Sequence, residues 1–296
     1  MSTSTPVATG MTVEQAFTAL VADSLTQLQH HASGVSKGVD PESVHQMRVG
    51  LRRLRLALRL FRKWITAPPD LLAELDWLGV RLGAARDADV LADTTLASVA
   101  RTCPPDEGIV ALQEAARRHA QAMHKLAAIA VKSARCARLV RDLTAWHQGA
   151  PWQATADDAL LKDLHRSIGP PAARMLRRRH ARLVEIGKAL HPDLPAERHR
   201  LRIAAKKLRY ATEFFQTLPA AKHTRRRLRR LGKLLDLLGS LNDAAVADRL
   251  LHDLVLRDPA LAGSASFARG YLCATTAQRL PELAPCWHRL LAEWPS

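Results

Sequence analysis

Residues 45–61 read HQMRVGLRRLRLALRLF, and their spacing decides the fold. His45, Arg48, Arg52, Arg55, Arg59 and Arg62 step by 3, 4, 3, 4 and 3 residues, the rhythm of one face of an α-helix. Val44, Met47, Leu51, Leu54, Leu58, Phe61 and Ile65 run beside them at the same rhythm. Such a helix docks by its apolar stripe and holds out a rail of positive charge about 25 Å long, at about 1.5 Å per residue. A solvated helix face is ordinarily laced with acid–base pairs one turn apart, yet residues 43–69 contain no Asp or Glu. Unrelieved like charges at these spacings cost roughly a few tenths of a kcal/mol per pair. A rail that carries this cost points to an anion that neutralises it. The other neutraliser is internal: acids on neighbouring helices, such as Asp87 and Asp243.

A second copy of the pattern lies at residues 199–215, HRLRIAAKKLRYATEFF. Shifted by 154, His45 falls on His199, Arg48 on Arg202, Arg52 on Lys206, Arg53 on Lys207 and Arg55 on Arg209. Further on, LGAARDADVLAD (82–93) falls on LGSLNDAAVADR (238–249) with a shift of 156, so that Gly83 meets Gly239 and Asp87 meets Asp243. Two matching segments in the same order predict a duplicated helical unit. The expected halves are 11–150 and 157–296, related by a pseudo-twofold axis and packed as one domain over 11–294.

The rest of the chain also reads as helix, rich in Leu, Ala and Arg, with prolines between the periodic stretches rather than inside them. Helices are predicted at about 11–32, 41–66, 70–84, 87–101, 106–127, 131–147, 157–168, 172–190, 195–217, 221–239, 242–256, 260–280 and 284–294. No alternating pattern is long enough to compete, so the predicted fold class is all-α. In this reading Asp87 and Asp243 begin helices as caps or pair with arginine, and Gly83 and Gly239 serve turns or close packing.

The 296 residues carry 44 Lys+Arg against 28 Asp+Glu, a formal charge of +16. Residues 40–66 hold seven cations and two acids, and residues 195–233 hold thirteen and two. These two stretches account for the entire excess, so the charge is localised. Within the second, Arg226, Arg229, Arg230 and Lys233 of KHTRRRLRRLGK (222–233) alternate with Leu228, Leu231 and Leu234, whereas the aligned first-half stretch carries Asp70, Glu74 and Asp76. A third basic face, Arg174, Arg177, Arg178 and Arg182, reads equally well as binding or as solvated. A hydrophobic share of 47% excludes a disordered basic tail. An aromatic share of 4% counts against proteins that stack single-stranded bases. Cys103, Cys136, Cys273 and Cys286 are scattered with no zinc-ligand or disulfide spacing, and read as small core residues in a reducing compartment. No basic residue precedes Lys37 and no uncharged run is long enough to span a bilayer, so a cytoplasmic protein with no membrane partner is expected.

The HxxRVxLRRLRxxLRLF pattern, its second copy ending KKLRY, and LGxxRDxDVL together resemble the CHAD family, the conserved histidine α-helical domain. His45, Arg48, Arg52, Arg53, Arg55, Asp87, His199, Arg202, Lys206, Lys207, Arg209 and Tyr210 carry the resemblance, which covers almost the whole chain. It implies two pseudo-symmetric helical bundles around a basic groove or pore, binding of inorganic polyphosphate, and association with polyphosphate granules and their proteins. Many relatives carry a triphosphate-processing CYTH domain ahead of this one; about ten residues precede the first predicted helix here, so that domain is not expected in this chain. Asn242 stands at the Arg86 equivalent, and Lys206 and Lys207 stand at those of Arg52 and Arg53.

Polyphosphate is a linear polyanion without bases or rings, and its recognition calls for a series of Arg and Lys without an aromatic platform. The expected walls are His45, Arg48, Arg52, Arg53, Arg55 and Arg59 on one side, and His199, Arg202, Lys206, Lys207 and Arg209 on the other. Arg226, Arg229, Arg230 and Lys233 would extend the second wall, with Tyr210 packing or donating a hydroxyl hydrogen bond. The first rival is sequence-nonspecific nucleic-acid binding, which needs only phosphate contacts; weak adventitious binding is expected in any case. The second is a metal- or phosphohistidine-dependent phosphate enzyme using His45 and His199. No HExxH, HxxxH or Walker-type loop is present, His119 and His124 are five apart, and the rails lack acidic ligands for magnesium. No catalysis, metal or cofactor is therefore expected.

Overall fold

The structure, a computed structural model, describes residues 7–102, 106–218 and 224–294. Cys103, Pro104, Pro105, Pro219, Lys222 and His223 lie outside them. Thirteen α-helices follow one another among the described residues: α1 Val13–Lys37, α2 Pro41–Phe61, α3 Pro69–Asp89, α4 Leu96–Thr102, α5 Glu107–Lys132, α6 Ala134–Gly149, α7 Pro151–Ala154, α8 Asp158–His165, α9 Gly169–Lys188, α10 Pro195–Phe214, α11 Thr224–Arg257, α12 Ala262–Arg279 and α13 Leu283–Leu291. The fold is all-α.

Local chemistry sets most boundaries. Thr12 and Gln15 form a reciprocal cap on α1, and Gly38, at φ 75°, ends it in the left-handed conformation. Asp40 accepts a hydrogen bond from the Glu42 N–H, and Pro41 opens α2. Asp106, Ser133 and Asp157 cap α5, α6 and α8 in the same way.

The structure removes two expected breaks. The segments predicted as 70–84 and 87–101 form one path, in which α3 runs through Asp87 to Asp89 and widens into π-turns at Val90–Thr95 before α4. The segments predicted as 221–239 and 242–256 are the single helix α11. Asp87 and Asp243 are therefore interior residues, and the helix-cap reading of both is wrong. Gly83 and Gly239 lie inside the same helices, so neither makes a turn. Glycine inside a helix costs roughly 1 kcal/mol relative to alanine but does not break it when both faces are packed. A buried hydrogen bond between His124 Nε2 and Asp89 Oδ1, at 2.7 Å, sits at the start of the π segment.

Three hydrophobic cores hold the helices together. The largest combines α1, α2, α3 and α6 with Ala172 and Met175 of α9 and Ala211, Phe214 and Phe215 at the end of α10. A second joins Leu91, Leu96 and Leu112 to Leu251, Leu254 and Ala265. The third packs Leu183, Leu201 and Leu208 against Leu234, Leu238 and Trp287. The first two draw on residues from both sides of position 150, whereas the third lies wholly in the second half. Cys136 is buried and Cys286 half-buried, but Cys273 is exposed, which corrects the expectation that all cysteines are core residues. Among the described residues no helix is long and apolar enough to cross a membrane.

Candidate functional site

The two motif helices, α2 and α10, each lean on a partner that makes room for arginine. α2 packs on α3, and α10 packs on α11. A Cβ added at Gly83 would stand 2.8 Å from Arg48 Nη1, and one at Gly79 would stand 2.8 Å from Arg55 Nη1. The guanidinium groups of α2 thus lie directly across the glycines of α3, where any side chain would displace them. Equivalent but looser approaches recur on the other side, Gly239 to Arg202 Nη2 at 3.9 Å and Gly232 to Arg209 Nη1 at 4.0 Å. Gly83 is a close-packing position, whereas at Gly239 a side chain would make only ordinary contact.

The motif acids sit beneath these cations. Arg202 Nη2 lies 3.8 Å from Asp243 Oδ1. Burial pushes the Asp87 carboxyl up; Arg48 pulls against this, and the charge of Asp243 adds to it. Burial likewise weighs against the charged forms of Arg48 and Arg202, with Asp87 and Asp243 as their main relief. At the head of each rail a histidine meets the residue in which the motif copies differ. Burial and then Arg86 lower the His45 pKa, whereas His199 Nδ1 lies 2.7 Å from Asn242 Oδ1. Among the described residues no group of three or more His, Cys, Asp or Glu is placed to hold a metal.

Between α2 and α10 lies a cleft of about 200 Å³ lined by Arg52, Arg55, Arg59, Lys206, Lys207 and Tyr210, with Leu56 and Ile203 as its apolar walls. No carboxylate lines it. Among the described residues Arg48, Arg52, Arg59, Lys206 and Lys207 have no carboxylate within ion-pair distance; Arg55 pairs with the exposed Asp76 and Arg209 with Glu213 at 2.8 Å. Lys206 is the most perturbed group. Burial lowers its pKa to about 7, helped by Arg202, Arg52 and Arg48 and opposed by Asp243. Lys207 is also lowered, by burial and then by Arg59, Arg179 and Arg182. The Arg52 guanidinium lies 5.3 Å from the Tyr210 ring centroid, so this tyrosine makes a cation–π contact rather than only the expected packing or hydroxyl bond.

Several expected wall residues lie elsewhere. Arg53 is buried, bonded to Asp23 at 3.1 Å and stacked 5.1 Å from the Phe214 ring, so it holds α2 to α1 and α10 instead of lining the cleft. Arg226 and Arg230 bracket Glu293 at 2.6 and 3.3 Å, and Lys233 lines a separate pocket against α13. They do not extend the α10 wall; Arg229 remains exposed on the same helix. Sequence reasoning missed Arg179, whose charge is felt at Arg59, Arg62 and Lys207. Its signal was a cation between Leu176 and Leu183 in the apolar register of α9. Arg86 was visible only as the counterpart of Asn242.

An all-helical domain with a cation-lined, carboxylate-free cleft between two motif helices is thus defined. The chain belongs to the CHAD domain family, whose profile matches residues 19–252. The crystal structure of the CHAD domain from the plant Ricinus communis is similar, with 36% identity, a TM-score of 0.86, and coverage of 97% of this chain and 95% of that one. PptA from Streptomyces chartreusis shares the fold at 16% identity, with a TM-score of 0.65 and coverage of 96% and 99%. No curated protein matches this chain.

Proposed function

We propose that this chain binds inorganic polyphosphate, without turning it over, in the cleft between α2 and α10. The observation that carries this reading is the convergence of Arg52, Arg55, Arg59, Lys206 and Lys207 from two helices on one cleft with no acid in its lining. Burial raises the cost of keeping such charges apart from a counter-ion, and a chain of phosphates supplies one negative charge after another along the groove. Arg offers forked donors to phosphate oxygens and Lys a mobile point charge. The matching electrostatic relations, the charge of Asp87 felt at Arg48 and Asp243 lying 3.8 Å from Arg202, support reading the two rails as copies of one device facing the same ligand. Phosphoryl transfer with magnesium would call for acidic ligands at the reacting phosphates, and the cleft presents cations. Granule association is the cellular role that fits such a binder.

The test is displacement of labelled long-chain polyphosphate at physiological salt by DNA, RNA or heparin at matched charge, with phosphate release followed in parallel. Polyphosphate is expected to compete best, no phosphate to appear, and affinity to fall steeply with added salt as counterions are released. Equal competition by all polyanions would make this a general cationic surface and nucleic-acid binding the better account; phosphate release would make it an enzyme.

Binding is also expected to depend on pH through Lys206. Its ammonium form, held among Arg48 and Arg52 of α2, Arg202 of α10 and Asp243 of α11, is fully present only below about pH 7. Polyphosphate affinity should therefore fall as pH rises through 7, and binding above that pH should take up a proton. Without ligand the sign for stability is opposite: between about 7 and 10.5 the unfolded chain holds a proton that the folded chain does not, so stability rises with pH across that window. Titration of affinity in wild type and Lys206→Arg checks this, since arginine stays charged throughout; a wild-type affinity flat from pH 6 to 8 would refute the role given to Lys206.

A further inference from the structure

The basic stretch of α11 builds a site of its own. A pocket of about 400 Å³ opens between α11, the end of α12 and α13, and four cations line it: Arg230, Lys233, Arg279 and Arg289. Two acids, Asp236 and Glu282, face them, and Leu237, Pro285 and Cys286 supply apolar wall. Arg230 is engaged by Glu293 at 3.3 Å. Among the described residues Lys233, Arg279 and Arg289 have no carboxylate within ion-pair distance. Arg289 gives its Nε–H to the Pro285 carbonyl at 3.0 Å, which fixes the guanidinium and leaves its terminal nitrogens to donate. Arg279 and Arg289 belong to a part of the chain without net charge, so only the fold brings them to Lys233.

The helix that carries Lys233 and Asp236, α11, also packs on α10, which supplies one wall of the proposed polyphosphate cleft. Nη1 of Arg209, the last cation of the α10 rail, lies 4.0 Å from where a Cβ at Gly232, the residue before Lys233, would stand. The charge of Asp236, which lines the pocket, is felt at Arg209. We infer that the α11–α12–α13 pocket is a second phosphate-binding subsite, which takes a further stretch of the polyanion held between α2 and α10. The inference rests on the reading of the first cleft for the identity of the ligand, but not for the existence of the pocket's own anion site. A chain too short to reach both sites fills them independently. A longer one gains from holding the second end at high effective concentration.

Calorimetric titration of the full chain with inorganic triphosphate and with long-chain polyphosphate tests this. Wild type is expected to take two triphosphates per chain. Arg279→Glu/Arg289→Glu should lose one of them and keep the other, while long-chain affinity falls on the order of 10²-fold. Arg52→Glu/Lys206→Glu should lose the complementary site. A single triphosphate per wild-type chain that Arg279→Glu/Arg289→Glu keeps, or two retained in that variant, would overturn the second subsite, as would its loss of two wild-type sites together with its helical signal intact. Should the charge reversal unfold the C-terminal helices, Arg279→Gln/Arg289→Gln gives the same discrimination by the same count. If only the Arg279/Arg289 variant loses binding, the pocket stands and the polyphosphate reading of the α2–α10 cleft fails.

Discussion

Replacing Arg52 and Lys206 together by Glu is expected to weaken polyphosphate binding by roughly 10²- to 10⁴-fold, since two charge-assisted contacts of roughly 1.5–3 kcal/mol each are lost. The two side chains come from opposite walls of one cleft, and neither has a carboxylate partner to abandon. Reversing them should leave the helices in place, because the apolar stripes that dock α2 and α10 are untouched. Each Glu would also stand among the cations that otherwise receive phosphate, neutralising neighbours as well as repelling the ligand. Binding isotherms with far-ultraviolet circular dichroism on the same samples decide the matter. An unchanged affinity with an intact helical signal would remove the α2–α10 cleft from consideration as the site.

Asp23→Ala is expected to destabilise the protein by about 3–5 kcal/mol without acting on the ligand directly. Asp23 is the α1 partner of Arg53, and both side chains are nearly buried, at 11% and 9% exposure. Removing the carboxylate leaves a guanidinium inside the protein with its main compensation gone, which costs far more than a surface ion pair is worth. Arg53→Met on the same background should recover much of the loss, because an unbranched apolar chain fills the space beside Phe214 without a charge to satisfy. Urea unfolding of the two variants reads this directly. A cost below about 1 kcal/mol for Asp23→Ala would mean that Arg53 is not the anchor of α2, and would return it to the group of ligand-binding candidates.

Arg53 also shows where reading by sequence alone fails. The stripe of Arg48, Arg52, Arg55 and Arg59 leaves position 53 out, but nothing local shows that Arg53 turns instead to Asp23, thirty residues earlier. Asp87 and Asp243 show a related failure. Asp followed by small residues looks like a helix start, but here each sits inside a continuous helix, with the charge of Arg48 opposing the cost of burying Asp87 and Arg202 lying 3.8 Å from Asp243. Gly83 likewise suggested either a turn or close packing; the guanidinium of Arg48 lying across it selects the second.

The all-helical class, the two motif helices and the cation rail along α2 were determined by the sequence itself, because helical periodicity and proline placement are local properties of the chain. The pairing of α2 with α10 as walls of one cleft, the diversion of Arg53 into the core, and the turning of Arg226 and Arg230 toward Glu293 were decided only by tertiary structure. A helix presents cations on more than one face. Which face meets an acid, a core or open solvent depends on the neighbour packed against it, and that neighbour lies tens of residues away in the chain.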